Sequence, residues 1–284
     1  TAKELTTRHN LSTGIKNALL KILKEPLTPI STADIQLVSL STTLATNAIT
    51  EGYGGDICLL LIGYDQEFLA SNNLQAELMT DNIVYLSGGH DLHGNPKAPL
   101  DTDKARQAVL ERKHQVEAFA VSSYFSNRNP EHELAISSLV KELTGLPATC
   151  GHELSSNFDS LRRALTVVLN TRLIPLLREL INELRHTLNE LNISAPVMVV
   201  KGDGSLLKAE MAVQRPIETI LSGPAASTVG VKHLSGKKDV AVIDMGGTTS
   251  DIAILQEGYP RLNPEGAKIQ GKRTLIEAVN VHTT

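Results

Sequence analysis

Short runs rich in Val, Ile and Leu alternate with helix-patterned segments along this chain, and that alternation constrains its fold more than any other feature. The runs lie at 35–40 (IQLVSL), 57–62 (ICLLLI), 117–122 (EAFAVS), 197–201 (VMVVK), 239–244 (DVAVID) and 251–255 (DIAIL). None shows the strict apolar–polar alternation of a half-exposed strand, so strands buried on both faces are expected. Helices are expected over 15–24 with Ser12 as cap, from Asp101 or Thr102 to about 114, and from Asn129-Pro130 to 143. Strands and helices in this order imply an α/β architecture.

The longest periodic segment is 157–191, where Leu161, Leu165, Val168, Leu169, Leu173, Leu176, Leu177, Leu180, Ile181, Leu184, Leu188 and Leu191 recur at spacings of three and four. That is an apolar stripe on one or two core helices. Pro175 is expected to kink it or to start its second half. The turn-rich NISAP at 192–196 follows, which divides the chain into 1–191 and 192–284.

Composition excludes several classes. A 41% hydrophobic content is too high for a disordered chain, and a net charge of −4 argues against sequence-independent nucleic-acid binding. No window of 18 apolar residues is present, so no membrane span is expected. Aromatic residues make up 3% with no Trp, which disfavours base-stacking and sugar-stacking surfaces. Cys58 and Cys150 cannot form a disulfide framework, and a reduced, cytoplasmic setting fits. A homo-oligomer is compatible with all of this.

The most informative stretch is VAVIDMGGTTSDIAIL at 240–255, which reads strand, Gly-rich turn, strand. Asp244 ends the first strand and Asp251 begins the return. Gly246 and Gly247 permit close backbone approach, and Thr248 and Thr249 add hydroxyls. Bare amides in such a turn form an anion nest, and an acid at its rim can hold Mg²⁺. It is neither a Walker loop nor a dinucleotide fingerprint. On these residues alone, an ordinary hairpin turn stays open.

Other candidates carry their own alternatives. Lys201-Gly202-Asp203-Gly204 follows the strand run at 197–201: Lys201 can neutralise phosphate and Asp203 can act as base or metal ligand, or the segment is a tight turn. Thr42, Thr43, Thr46 and Asn47 either face a cleft or cap a helix. His90, His93 and, from a distant loop, His152 have metal-ligating chemistry, and a plain polar loop is the alternative. Arg128, Asn129, His132 and Glu133 either line a pocket or start a helix. Asp159, Arg162 and Arg163 are expected to form a surface or interdomain ion pair.

The order strand–Asp-x-Gly-Gly-Thr-x-x-Asp–strand resembles the second phosphate motif of the actin-like ATPase superfamily. The preceding TILSGPAASTVGVKHL (219–234) resembles the helix before that motif, with Ser222-Gly223-Pro224 where chaperone members carry a Glu before Pro. Across its length the chain resembles the hydantoinase A / 5-oxoprolinase family. The resemblance is carried by LSTTLATNAITEG (40–52), SYFSNRNPEHE (123–133), GHELSSNFDSLRRALTVVLNTRLIPLL (151–177) and VVKGDGSLL (199–207) through ILSGPAAS to IDMGGTTSDIAIL. Leu40-Ser41 stands where many members have His-Gly.

What the resemblance implies is an actin-like (ribonuclease H-like) ATPase fold with two mixed-sheet domains flanking a nucleotide cleft. Residues 1–191 would be the N-terminal hydantoinase/oxoprolinase domain, and 192–284 the beginning of the second ATPase domain. The implied activity is ATP-dependent opening of a cyclic amide, a hydantoin or 5-oxoproline, by phosphorylation of the amide oxygen. Asp244 is expected to hold Mg²⁺, with Asp203 and Asp251 as further acids. Gly246, Gly247, Thr248, Thr249, Lys201, Gly202 and Gly223 are expected around ATP, and Thr42, Thr43, Asn47, Arg128 and Asn129 around the substrate. A hydantoinase B-type subunit is the expected partner. The alternatives are a regulatory or chaperone-like ATPase switch, or a subunit of an ATP-dependent ketone carboxylase. Because the first phosphate hairpin and the later adenosine-binding Gly-rich segment are both missing, the chain also reads as cut at both ends.

Overall fold

A computed structural model describes residues 2, 4, 11–24, 31–245 and 250–283. The chain opens with α1 (Leu11–Leu23), β1 (Val38–Leu40) and α2 (Leu44–Glu51). The bounds of α1 include Ser12, expected as its cap. An α/β unit follows: β2 (Ile57–Ile62), α3 (Gln66–Ser71), β3 (Ile83–Leu86), α4 (Thr102–Arg112), β4 (Ala118–Ser123), α5 (Glu131–Thr144) and β5 (Ala148–Cys150). Its four strands form one sheet in the order β3-β2-β4-β5, and every pairing is parallel.

The unbroken apolar runs explain the sheet. Every residue of β2 and β4 is buried. Cys58, Leu60 and Ile62 pack with Val109 and Ile136 on one face, while Ile57, Leu59 and Leu61 pack with Ala164, Val167 and Val168 on the other. Strand β3 alternates partly buried and buried residues, as an edge strand does, and the apolar-run criterion missed it. Asp101 caps α4 by accepting the Lys104 amide at 3.0 Å. Pro130 sits at the N-cap of α5, one place earlier than expected, and Asn129 Oδ1 accepts the Glu131 amide at 3.0 Å.

After the short α6 (Gly151–Leu154) comes α7 (Ser160–Glu190), 31 residues long and therefore about 46 Å. Asp159 caps it by accepting the Arg162 amide at 3.0 Å. The helix runs on through Pro175, and Gly55 makes the room: a Cβ there would lie 2.7 Å from the proline ring. The stripe read from the sequence serves different neighbours along its length. Ala164 and Val168 lie under the parallel sheet, Leu169 and Leu173 meet α2, and Leu184 and Leu188 meet α1.

The remainder comprises β6 (Val197–Val200), β7 (Leu206–Lys208), α8 (Ala209–Gln214), α9 (Ser222–Ser235), β8 (Val240–Met245), β9 (Ser250–Gln256), β10 (Tyr259–Pro260), β11 (Lys268–Ile269), β12 (Lys272–Arg273) and β13 (Val281–Thr283). Strand β1 pairs in parallel with β6, Val38 opposite Val197, and β7 returns antiparallel, so one sheet joins segments from both sides of residue 191. Strands β8 and β9 form the expected hairpin, with β10 and β13 on the other edge of β9. Among the described residues, no helix is long and apolar enough to cross a membrane.

Candidate functional site

Register decides what the hairpin presents. Asp244 stands directly opposite Asp251, and Met245 opposite Ser250. Directly opposed residues of an antiparallel pair point to the same face, and like charges so placed repel. Among the described residues each acid has a side-chain hydroxyl partner: Ser227 Oγ donates to Asp244 Oδ2 at 2.7 Å, and Thr283 Oγ1 donates to Asp251 Oδ1 at 2.7 Å. Asp244 is exposed. A hard cation fits this donor set, since it takes carboxylate oxygens and relieves their repulsion. Gly246, Gly247, Thr248 and Thr249 lie outside the described residues.

Helix α9 ties this hairpin to the Thr-rich segment. Ser222 Oγ donates to the Thr42 carbonyl at 3.0 Å and accepts the Thr42 amide at 3.4 Å, and the Leu221 amide donates to Thr46 Oγ1 at 3.3 Å. Five residues on, Ser227 reaches Asp244. Leu221, just before the helix, adopts a left-handed φ of 57°, a conformation that non-glycine residues hold only where their surroundings fix it. Gly223 follows in the first turn, with open space where a Cβ would stand. Thr42 Oγ1 accepts the Leu44 amide at 3.0 Å. Thr43 and Asn47 are exposed and bonded to each other, Asn47 Nδ2 donating to Thr43 Oγ1 at 3.2 Å.

The 201–205 turn is held from several sides. Gly202 donates its amide to the Glu218 carbonyl and accepts the Val279 amide, and a Cβ there would lie 2.2 Å from the Ile220 carbonyl oxygen. Only glycine permits that approach. Asp203 Oδ1 accepts the Ser205 amide at 2.8 Å and hydroxyl at 2.6 Å. Lys201 Nζ lies 3.1 Å from Asp203 and 3.2 Å from Glu218, so its charge is already shared by two carboxylates. Partial burial opposes the Asp203 anion, but Ser205 and Lys201 outweigh it and hold the carboxyl below its usual range. Burial opposes the Lys201 cation too, and the two carboxylates outweigh it and raise its pKa.

A second polar cluster lies at the carboxyl edge of the parallel sheet, the edge where open α/β sheets bind ligands. Glu133 is wholly buried. Its Oε1 accepts the Ser123 amide at 2.7 Å, while Oε2 accepts the His152 amide at 2.9 Å and lies 2.6 Å from His152 Nδ1. Cys150 Sγ donates to the Glu133 carbonyl at 3.6 Å. The bond to Glu133 raises the His152 pKa against partial desolvation, and burial with nearby Glu133 and Glu153 pushes the Cys150 thiol up.

His90 is wholly buried here and stacks on His132 with ring centroids 4.3 Å apart. His93 is exposed, further along the same connection between β3 and α4, and donates its amide to Asp91. Among the described residues, the group of acid, Cys and His side chains close enough to hold one ion is Glu133, Cys150 and His152, with neither His90 nor His93 in it. Arg128 stacks on Phe158 at 4.6 Å, and Asn129 Nδ2 donates to the Gly94 carbonyl at 3.1 Å. These two therefore sit beside the parallel sheet, whereas Thr42 sits beside α9. Arg162 and Asp159 approach to 3.8 Å at the surface. Arg163, in contrast, is wholly buried and donates to the Asn157 and Ser123 carbonyls.

A doubly wound parallel unit, one long helix and a mixed-sheet unit that presents an acidic hairpin make up an actin-like ATPase fold. The chain belongs to the hydantoinase/oxoprolinase family: the family model matches residues 163–284 and that of its N-terminal region matches residues 1–144. It is 28% identical over 281 residues to caprolactamase subunit alpha of Pseudomonas jessenii, covering 90% of this chain and 40% of that one. The crystal structure of ATP-dependent caprolactamase from that organism superposes with a TM-score of 0.83 at 26% identity, covering 98% of this chain and 43% of the other. Nucleotide-free acetone carboxylase superposes equally well, TM-score 0.83 at 19% identity over 100% of this chain and 44% of the other, which is a likeness of fold. The chain thus spans less than half the length of these relatives.

Proposed function

We propose that this chain contributes the phosphate-binding half of an ATP-dependent enzyme that opens a cyclic amide. The observation that carries the proposal is the hairpin in which Asp244 and Asp251 face each other, joined through α9 to the Thr-rich segment at Thr42. Asp244 would hold Mg²⁺, which supplies charge neutralisation for the transferring phosphoryl group. Gly246, Gly247, Thr248, Thr249 and Gly223 would surround the phosphates of ATP. Thr42, Thr43 and Asn47 would face the substrate, as would Arg128 and Asn129 from the parallel-sheet edge. Lys201 and Asp203 form a braced turn beside this region, so a positioning role suits them better than direct phosphate contact.

The chemistry follows from the weakness of an amide as an electrophile. Transfer of the γ-phosphoryl group to the amide oxygen creates a leaving group at carbon, and catalysis is then mostly positioning and electrostatic stabilisation. Water adds to that carbon, the C–N bond opens and the nitrogen takes a proton. A second water then attacks the same carbon, and phosphate departs with the former amide oxygen. The family and the caprolactamase relative support this class. The alpha-subunit designation of that relative supports a B-type partner. The test is ADP release and ring-opened product measured together, with the partner subunit present and hydantoin, 5-oxoproline and caprolactam supplied in turn. Stoichiometric release dependent on one of them is expected. ATP turnover stimulated only by a protein client would place the chain among ATPase switches instead.

A further inference from the structure

We propose that Glu133, Cys150 and His152 form a site for a borderline-soft divalent transition-metal ion of the Zn²⁺ class. Their oxygen, sulfur and imidazole donors all lie within 4.8 Å of one another. That combination suits Zn²⁺ or Co²⁺ and suits Mg²⁺ or Ca²⁺ poorly, because hard cations avoid thiolate.

The three donors come from elements that the fold holds rigidly. Cys150 ends β5, His152 lies in the first turn of α6, and Glu133 lies in the first turn of α5. All three therefore sit at the carboxyl edge of one parallel sheet. Gly151, between two of the donors, is required by the approach: a Cβ there would stand 2.9 Å from Glu133 Oε1. The carboxylate is also oriented in the way metal-binding carboxylates are, since the Ser123 amide fixes Oε1 and leaves Oε2 turned toward His152. Tetrahedral coordination at Zn–N and Zn–S lengths of about 2.0–2.3 Å needs donors roughly 3–4 Å apart. Moving His152 Nδ1 and Glu133 Oε2 from 2.6 Å to that separation is a side-chain adjustment of about 1 Å.

The metal takes the place of protons. It displaces the proton shared by Glu133 and His152 and the thiol proton of Cys150, and both are released to solvent. Cys150 and Glu133 are wholly buried, while the His152 side chain is 21% exposed. His152 is the exposed side from which an ion would enter, and with three protein donors a fourth position is left for water or a ligand oxygen. This site is separate from the Asp244 hairpin and does not depend on the ATP reading.

The test is titration of the metal-free, reduced chain with Co²⁺. The expected result is one Co²⁺ per chain, with a thiolate-to-cobalt charge-transfer band in the near ultraviolet and tetrahedral visible bands that Zn²⁺ bleaches. Cys150→Ala should lose the near-ultraviolet band, His152→Gln should weaken binding at least tenfold, and Cys58→Ala should leave the spectrum unchanged. Absence of the band in folded wild-type chain overturns the proposal, as does a band that survives Cys150→Ala or vanishes with Cys58→Ala. Because the wild-type chain by itself can overturn the proposal, poor folding of a variant does not block the test.

Discussion

The two acidic centres of this chain are built on opposite terms. Glu133 is wholly buried and held by the Ser123 amide, the His152 amide and the His152 ring. Asp244 is exposed, accepts from Ser227 Oγ, and faces a second carboxylate across the ladder. Burying a carboxylate is unfavourable unless partners compensate it, so the Glu133 network is part of the fold. Asp244 and Asp251 stand opposite each other across the ladder, where like charges repel. The fold's own donors compensate Glu133, whereas Asp244 has a like charge directly opposite it.

That contrast can be broken by mutation. Glu133→Ala removes the partner of several donors and leaves a cavity, and it should lower stability by about 3–5 kcal/mol in urea unfolding. A loss under about 1 kcal/mol would show that Glu133 is not structural. Leu60→Ala, in the middle of the fully buried β2, should cost about 2–5 kcal/mol and serves as the apolar benchmark. Asp244→Ala should change stability by no more than about 0.5 kcal/mol, and upward if at all, because it relieves a like-charge pair. The same variant should abolish Mg·ATP binding by calorimetry in the ATP-consuming assembly. Unchanged affinity would remove Asp244 from the site.

A modest, pH-dependent effect belongs to the Lys201–Asp203–Glu218 group. The folded-state pKa of Asp203 is depressed, so its contribution is present above the ordinary carboxylate pKa of about 3.9 and is lost as pH falls through the lower folded value. The folded-state pKa of Lys201 is raised, so its contribution is complete below about 10.4 and is lost as pH rises through the higher folded value. Asp203→Asn should remove about 0.5–1 kcal/mol at pH 7 and flatten the acid limb of the stability–pH curve. An unchanged acid limb would show that the contact contributes nothing.

What was legible in the sequence follows the range of the interaction. The runs at 57–62 and 117–122 read correctly because burial on both faces leaves no other pattern for Val, Ile and Leu to make. The long helix read correctly because its stripe persists over 31 residues. The hairpin was legible because its partners are neighbours in sequence. Strand β3 was missed because its apolar run, IVYL, is four residues long, at the short limit for a strand, and β5 since three residues carry no period. The Glu133–His152 contact, 19 residues apart and created by two helix starts meeting at a sheet edge, had no local signal. Arg163 read as part of a surface or interdomain ion pair because its compensation comes from carbonyl oxygens, which composition does not reveal.

The most direct measurement follows one oxygen atom. A cyclic amide labelled with ¹⁸O at its carbonyl is turned over with ATP, and the released phosphate and ring-opened acid are weighed by mass spectrometry. Phosphorylation of the amide oxygen followed by attack of water at carbon predicts that the label leaves in inorganic phosphate, with both carboxylate oxygens drawn from water. Ring opening that keeps all of the label in the carboxylate, with unlabelled phosphate, would contradict the account.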